Sequence, residues 1–344
     1  MNRAFFKGQW KMVKRRTVVQ EKKKVRVALL AGGRSGEREV SLKGAAQVEK
    51  ALDPEKFIVT RYDPATDLAD IAKDAPSIDV AFILLHGLYG EDGTVQGYLD
   101  LLGIPYQGSG VLGSAMAMDK NLSKIMYRLH GLPVAEWEMA RPEDVQSPER
   151  LLGRLRFPLV IKPVRAGSSL GMSIAGTKEE LAAGIKTAYE HDSQVMVEQF
   201  VQGREITGGV LGNEELTALP LVEVIPNEEF RFFDYRAKYE PGASRELCPA
   251  PISEELREKA QQLALAAHRA LQLRGYSRTD MILTEAGDIY ILETNTIPGM
   301  TPTSLLPQAA AAYGLDFSAL LEKLIELALE KESGASGLKI AISS

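Results

Sequence analysis

Short apolar runs alternate with amphipathic stretches through the first third of the chain. VRVALLAGG (25–33) is apolar up to a glycine pair, and EVSLKGAAQVEKAL after it repeats its apolar positions at helical spacing. KFIVTRYD and DVAFILLHG read as further strands, with TVQGYLDLLG as a helix before IPYQ. Strand, helix, strand in this order predicts a parallel α/β unit over about 25–108, with its site at the carboxyl ends of the strands. Those ends carry Glu37 and His86.

The pattern then changes. GSGVLGSAMAMDKNLSKIMYRLHGLPV is a helical region closed by Gly131 and Pro133, FPLVIKPVRAGSSLGMSI is strand, glycine-rich loop, strand, and KEELAAGIKTAYEH is a helix charged on one side. QVMVEQFVQGREITGGVLG supplies two strands with a turn at Gly203; from about 198 to 330 antiparallel strands precede helices such as SEELREKAQQLALAAHRALQL. RTDMIL (278–283) and IYILETN (289–295) flank TEAGD, which predicts a hairpin. A turn symmetric about that segment sets Asp280 opposite Glu293, Arg278 opposite Asn295 and Ile282 opposite Ile291.

Composition limits what such a chain can be. With 344 residues, 45% hydrophobic and 25% charged, it is globular and long enough for two or three compact units. No apolar run approaches the roughly 20 residues of a membrane helix, so no membrane insertion is expected. The single cysteine, Cys248, excludes an internal disulfide and points to a reducing, cytoplasmic setting. The net charge of −5 is uneven: residues 1–26 hold ten Lys or Arg and one acid, leaving the remainder at −14. Residues 1–24 lack a signal-peptide core and read as a flexible basic extension outside the chemistry, with no nucleic-acid partner implied.

Several motifs carry little by themselves. GSGVLG (108–113) matches a dinucleotide fingerprint literally but lacks a strong strand before it and an acid at the required distance, so its glycines are loop and helix-entry residues. A P-loop is absent, and the four histidines show no metal-ligand spacing. His86 ends a buried strand beside GLYGEDG and reads equally as a satisfied core histidine or a functional one. KPVRAGSSLGM puts Lys162 ahead of glycines and hydroxyls, either a phosphate cradle or a polar hairpin turn. Two carboxylates facing across a hairpin repel, so a cation belongs between them. With the Asn295 oxygen they form a sparse, hard donor set suited to Mg²⁺ completed by phosphate and water. A shared proton, or Arg278 alone, is the less economical alternative.

Taken in order, GGRSGEREVS, HGLYGEDGTVQG, MDKNLSK, KPVRAGSSLGMS, VEQFVQGREIT, FFDYRAKY, SRTD and ILETNTIPGMTPTSLLP resemble the motifs of the ATP-grasp ligases, and among them the D-alanine–D-alanine ligase family, over about residues 25–330. The resemblance implies an α/β fold, α+β in the ATP-binding half, with three domains: 25–108, a central 109–197 and a C-terminal 198–335 before a tail at 336–344. It implies ATP between the last two domains, with Lys120, Lys162 and Lys238 on its phosphates, Glu198 and Val201 beside adenine, and Glu205 on the ribose. Asp280, Glu293 and Asn295 would hold Mg²⁺, normally two ions, with Mn²⁺ as a substitute.

Glu37 would hold the first D-alanine's ammonium with His86 near its carboxylate, Arg278 and the Gly299 N–H the oxyanion, and Ser304 the second carboxylate. Ser168, placed in both the catalytic and ATP-binding sets, and Tyr239 would tie a lid to Glu37. Tyr239, where relatives making D-alanyl-D-lactate tend to carry histidine, implies D-alanine as the second substrate. A homodimer serving peptidoglycan synthesis completes what the resemblance implies. The competing readings are a D-alanyl-D-serine or depsipeptide ligase and a silent nucleotide-binding protein. The latter would have lost a metal ligand, a phosphate lysine or Arg278.

Overall fold

Strand β1 (Val25–Leu30) ends in four consecutive buried residues, as a strand covered on both faces must. It pairs in parallel with β2 (Phe57–Tyr62) and β3 (Val80–Ile83), giving the order β2-β1-β3. The helix Arg38–Ala51 crosses from β1 to β2 and turns Ala45 and Val48 inward. The expected parallel α/β unit is therefore present. The computed structural model describes residues 23–167, 170–226 and 244–330. Ser168, Lys238, Tyr239, the tail and nearly all of the basic extension lie outside the described residues.

A second, antiparallel sheet contains β4 (Trp137–Met139), β5 (Leu159–Pro163), β6 (Ser173–Ala175) and β7 (Val195–Gln199) in the order β4-β7-β5-β6. The helix Lys178–Tyr189 buries Leu181, Ile185 and Ala188 against it. The third sheet holds β8 (Arg204–Gly212), β9 (Thr217–Ala218), β10 (Val222–Pro226), β11 (Ser244–Leu247), β12 (Gly275–Leu283) and β13 (Ile289–Asn295). Its main path is β11-β10-β8-β12-β13, and the helix Glu254–Ala270 packs on its inner face. The turn at Gly203 does not close a hairpin: β7 belongs to the second sheet and β8 to the third, so the segment carries the chain between them.

The β12–β13 register differs from a symmetric hairpin in one respect. Arg278 pairs with Asn295 and Asp280 with Glu293, as expected, but Met281 pairs with Ile291 and Ile282 with Tyr290. Leu292 is the extra residue of a bulge. Alternation fails there, so Leu292 and Glu293 are both half-buried while Ile291 and Thr294 are buried. The expected Ile282–Ile291 pair is thus corrected by one residue, because the bulge turns two consecutive side chains to the same side.

His268, on the helix Glu254–Ala270, is completely buried and lies 2.8 Å from the Ser277 hydroxyl. Burial pushes its imidazole down to about 4. The unfolded chain takes up a proton near the ordinary histidine value of about 6.5, whereas the folded one does so only near 4. Stability is therefore complete above about pH 6.5 and falls as pH drops toward 4. Urea unfolding should show a loss of about 2 kcal/mol between about pH 7 and pH 5 in the parent that is absent in His268→Gln. An equal pH slope in both would rule out His268 as its source.

Candidate active site

After β1 the chain turns through Gly32 and Gly33, and this turn places Glu37. Gly32 has φ +95°, and a Cβ there would stand 2.6 Å from Asp63 Oδ2, so only glycine fits. Asp63 accepts the Gly33 N–H at 2.9 Å and pairs with Arg38 at 2.6 Å, and the Gly32 N–H donates to Ser41 Oγ at 2.8 Å. Glu37 is left at the N-cap position of the helix Arg38–Ala51, with its carboxylate not engaged in capping it. A Cβ on Gly87 or Gly167 would lie 3.2 or 3.0 Å from Glu37 Oε2, so the carboxylate sits between the loop after β3 and the glycine-rich loop after β5. His86 stands beside it; burial, together with Arg278, lowers its pKa against the opposing pull of Glu37. A neutral imidazole at neutral pH follows.

One face of the third sheet carries the polar residues. Thr207 pairs with Asp280 across β8 and β12, and Glu205 with Ile282. Arg278 donates to both oxygens of Asp280 at 2.8 Å, Thr207 Oγ1 donates to Asp280 Oδ1 at 2.7 Å, and Asn295 Nδ2 donates to Oδ2 at 3.1 Å. Burial lowers the affinity of Arg278 for its proton, but Asp280 more than offsets this, so the guanidinium stays charged. Lys120 Nζ stands 3.5 Å from Glu293 Oε2. Each facing carboxylate thus meets a different cation. On the other face Tyr127 donates to Thr294 Oγ1 at 2.7 Å, and Thr294 lies 3.0 Å from Thr279, anchoring the helix Lys120–Leu129 behind β13.

Lys120 begins that helix, which Asp119 caps by accepting from Asn121 and Leu122. Its ammonium also donates to Ala166 O at 2.9 Å. Four residues on, Lys124 is fully buried and ion-paired with Glu198 on β7, whose second oxygen is 2.6 Å from Lys162 Nζ on β5. Burial opposes ionisation of Glu198, yet the two ammonium groups hold it below the usual carboxylate range.

Two cavities meet at this cluster. The smaller, about 160 Å³, lies between the second and third sheets and is lined by Lys120, Lys162, Glu198, Val201, Glu205, Asp280 and Glu293. The larger, about 550 Å³, is lined by Glu37, His86, Arg278, Asn295, Gly299 and Ser304, and again by Lys120 and Glu293. Every described residue of the expected site therefore lines one or both. The donor set of two carboxylates and an amide fits a hard divalent cation, because it leaves positions for phosphate oxygens and water.

Residues 126–326 match the family model described as D-ala D-ala ligase C-terminus, and residues 63–109 match D-ala D-ala ligase N-terminus. A curated D-alanine–D-alanine ligase from Desulfotalea psychrophila is 60% identical over 319 residues, which cover 92% of this chain and 99% of that one. The chain belongs to the D-alanine–D-alanine ligase family. A member from Syntrophobacter fumaroxidans is 58% identical, covering 89% of this chain and 98% of its own. Among solved structures, the Bacillus anthracis D-alanine–D-alanine ligase complexed with ATP aligns with TM-score 0.77 at 36% identity, over 89% of this chain and 97% of that one. The VanG D-Ala:D-Ser ligase of Enterococcus faecalis aligns with TM-score 0.78 at 32% identity, over 89% and 100%.

Beyond the residues that the ligase-family motifs single out, the structure adds Lys124, Thr207 and Glu91. Lys124 lies in MDKNLSK four residues after Lys120, a spacing that puts both on one helical face. Thr207 carries no such signal, since only sheet pairing brings it to Asp280. Among the described residues no helix is long and apolar enough to cross a membrane.

Proposed function

We propose that the chain joins two D-alanine molecules into D-alanyl-D-alanine, converting ATP to ADP and phosphate, to supply the dipeptide of peptidoglycan. The γ-phosphoryl group passes to a carboxylate oxygen of the first D-alanine, giving an acyl phosphate and ADP. The amine of the second D-alanine attacks the acyl carbon, loses a proton, and phosphate leaves. The observation that carries this reading is the meeting of the two cavities at Lys120 and Glu293. A phosphate donor in the smaller can reach a carboxylate in the larger there, and positioning with charge neutralisation is what phosphoryl transfer requires.

In this reading Lys120 and Lys162 neutralise the ATP phosphates, Glu198 and Val201 border adenine and Glu205 takes the ribose. Asp280, Glu293 and Asn295 would hold Mg²⁺, which supplies charge neutralisation between the phosphates. Glu37 binds the first ammonium with His86 beside the carboxylate, and Arg278 with the Gly299 N–H receives the oxyanion. A Cβ on Gly299 would stand 3.0 Å from Ser304 Oγ, a tight approach that supports a backbone donor at this position. Ser304 stands at the N-cap position of the helix Leu305–Tyr313, whose N-terminal dipole favours the second carboxylate. The same reading gives Lys238 the transferred phosphate and Ser168 and Tyr239 a tie to Glu37; all three lie outside the described residues. The division at 25–108, 109–197 and 198–335, a cytoplasmic location and a homodimer belong to the same reading; light scattering at twice the chain mass is the check on the last.

The deciding experiment is product mass and phosphate release with ATP, Mg²⁺ and D-alanine alone, then with D-lactate or D-serine added. Phosphate matched by D-alanyl-D-alanine is expected. Release only with another nucleophile moves the function to a neighbouring ligase, a reading that the likeness to the D-Ala:D-Ser ligase keeps specific; no turnover favours a silent binder. Tyr239→His should shift the preference from amine toward hydroxyl nucleophiles, read as the ratio of D-alanyl-D-lactate to D-alanyl-D-alanine. An unchanged ratio removes Tyr239 from the specificity reading.

A further inference from the structure

Glu91 lies in the wall of the larger cavity, on the loop that follows β3. Its Oε2 accepts the Gly87 N–H at 2.8 Å while its own N–H donates to Gly87 O at 2.9 Å, so residues 87–91 close on themselves directly after His86. The main chain of Ile297 approaches both Glu91 and His86, which line the same cavity. Ile297 stands two residues before Gly299, in the same cavity lining. Gly87 packs in turn against the Glu37 carboxylate, at 3.2 Å for a Cβ built on it. One side chain therefore joins the loop that carries His86, the turn that leads to Gly299 and the neighbour of Glu37.

We infer that Glu91 is a positioning residue for the first amino-acid substrate, clamping the His86–Gly87 loop to the Ile297–Gly299 turn. The inference rests on the assignment of Glu37 and His86 to that substrate. The charge of Glu91 adds a second consequence. Burial first, and the Glu37 carboxylate second, push its carboxyl up to about 8, against the pull of the Gly87 and Ile297 donors and of Arg278. The charged and titrating groups that face it are Glu37, His86 and Arg278, with the Tyr276 phenol behind. Near neutral pH Glu91 is mostly protonated, and as pH rises through about 8 it becomes a second anion beside an ammonium ligand. KM for the first D-alanine then falls over that interval.

The test compares Glu91→Ala, Glu91→Gln and, as a control on the underlying assignment, Glu37→Gln, with folding checked by circular dichroism. Glu91→Ala should raise KM for D-alanine by roughly 10- to 100-fold and leave KM for ATP within about twofold, the size expected when a bound group is misplaced by about an ångström. Glu91→Gln keeps the shape but cannot ionise; its KM for D-alanine should stay level between about pH 7 and pH 9 where the parent's falls. Glu91 variants that match the parent in both readouts, with Glu37→Gln impaired, overturn the positioning role alone. If Glu37→Gln also matches the parent, the substrate pocket is wrongly assigned and the inference falls with it. A Glu91→Ala chain that does not fold leaves Glu91→Gln to decide by its pH profile.

Discussion

Arg278→Lys should lower kcat for dipeptide formation by about 10²- to 10³-fold, the usual cost of removing one oxyanion donor. The guanidinium spends two donors on Asp280, through Nε and Nη2, both at 2.8 Å, and is only 15% exposed. A planar fork can hold that carboxylate and still direct another N–H at the reacting carbonyl; a lysine ammonium cannot do both from one point. The charge is conserved, so the fold should survive with an unfolding midpoint within a few degrees of the parent. Steady-state turnover at saturating ATP and D-alanine checks this. A loss under about tenfold would place Arg278 in structure rather than at the oxyanion.

Glu198→Gln is expected to have the largest effect on stability. Lys124, Glu198 and Lys162 are 0%, 3% and 10% exposed at their side chains. Removing the carboxylate leaves two buried ammonium groups facing each other, at a cost of about 3–5 kcal/mol. For a chain of this size that is a fall of roughly 4–7 °C in the unfolding midpoint. Lys124→Met should cost far less, because Lys162 and Glu198 remain a balanced pair and an apolar side chain fills the helix position. Differential scanning calorimetry of the two variants gives the order. If Lys124→Met is as damaging as Glu198→Gln, charge balance does not hold this cluster together.

The acid half of the same cluster also sets a pH sense. Because the ammonium groups hold Glu198 below the ordinary carboxylate range, its stabilisation is complete above that range and is lost as pH falls through the lowered value. The His268 loss begins at higher pH, so the two are separable along one acid titration.

Much of the site was legible because its chemistry is written in residue types at strand ends. A carboxylate closing an apolar run, as in IYILETN, has no packing explanation, and a turn-forming TEAGD determines which strand it must face. Period-two alternation then puts Arg278, Asp280, Glu293 and Asn295 on one side, as the strand pairing bears out. The parallel order of β1 to β3 was legible for a similar reason, since apolar runs separated by helical repeats admit few connections.

What the sequence by itself determined, then, is the set of chemical groups, their order and their local register near the hairpin's open end. Tertiary structure alone decided three things. The bulge at Leu292 depends on how β13 is pulled against β12 and the surrounding layers, and no turn or alternation signal encodes it. Glu198 was expected beside adenine, but whether its charge is also taken up by Lys124 depends on a helix lying across β7, a contact between residues 74 positions apart. Glu91 reads in GEDG as an ordinary loop acid. Only tertiary packing buries it beside Glu37, and that burial with the neighbouring carboxylate raises its pKa against the opposing Gly87 and Ile297 donors. Desolvation and mutual repulsion are properties of a packed neighbourhood, and a linear pattern states residue identity without stating what is packed beside it.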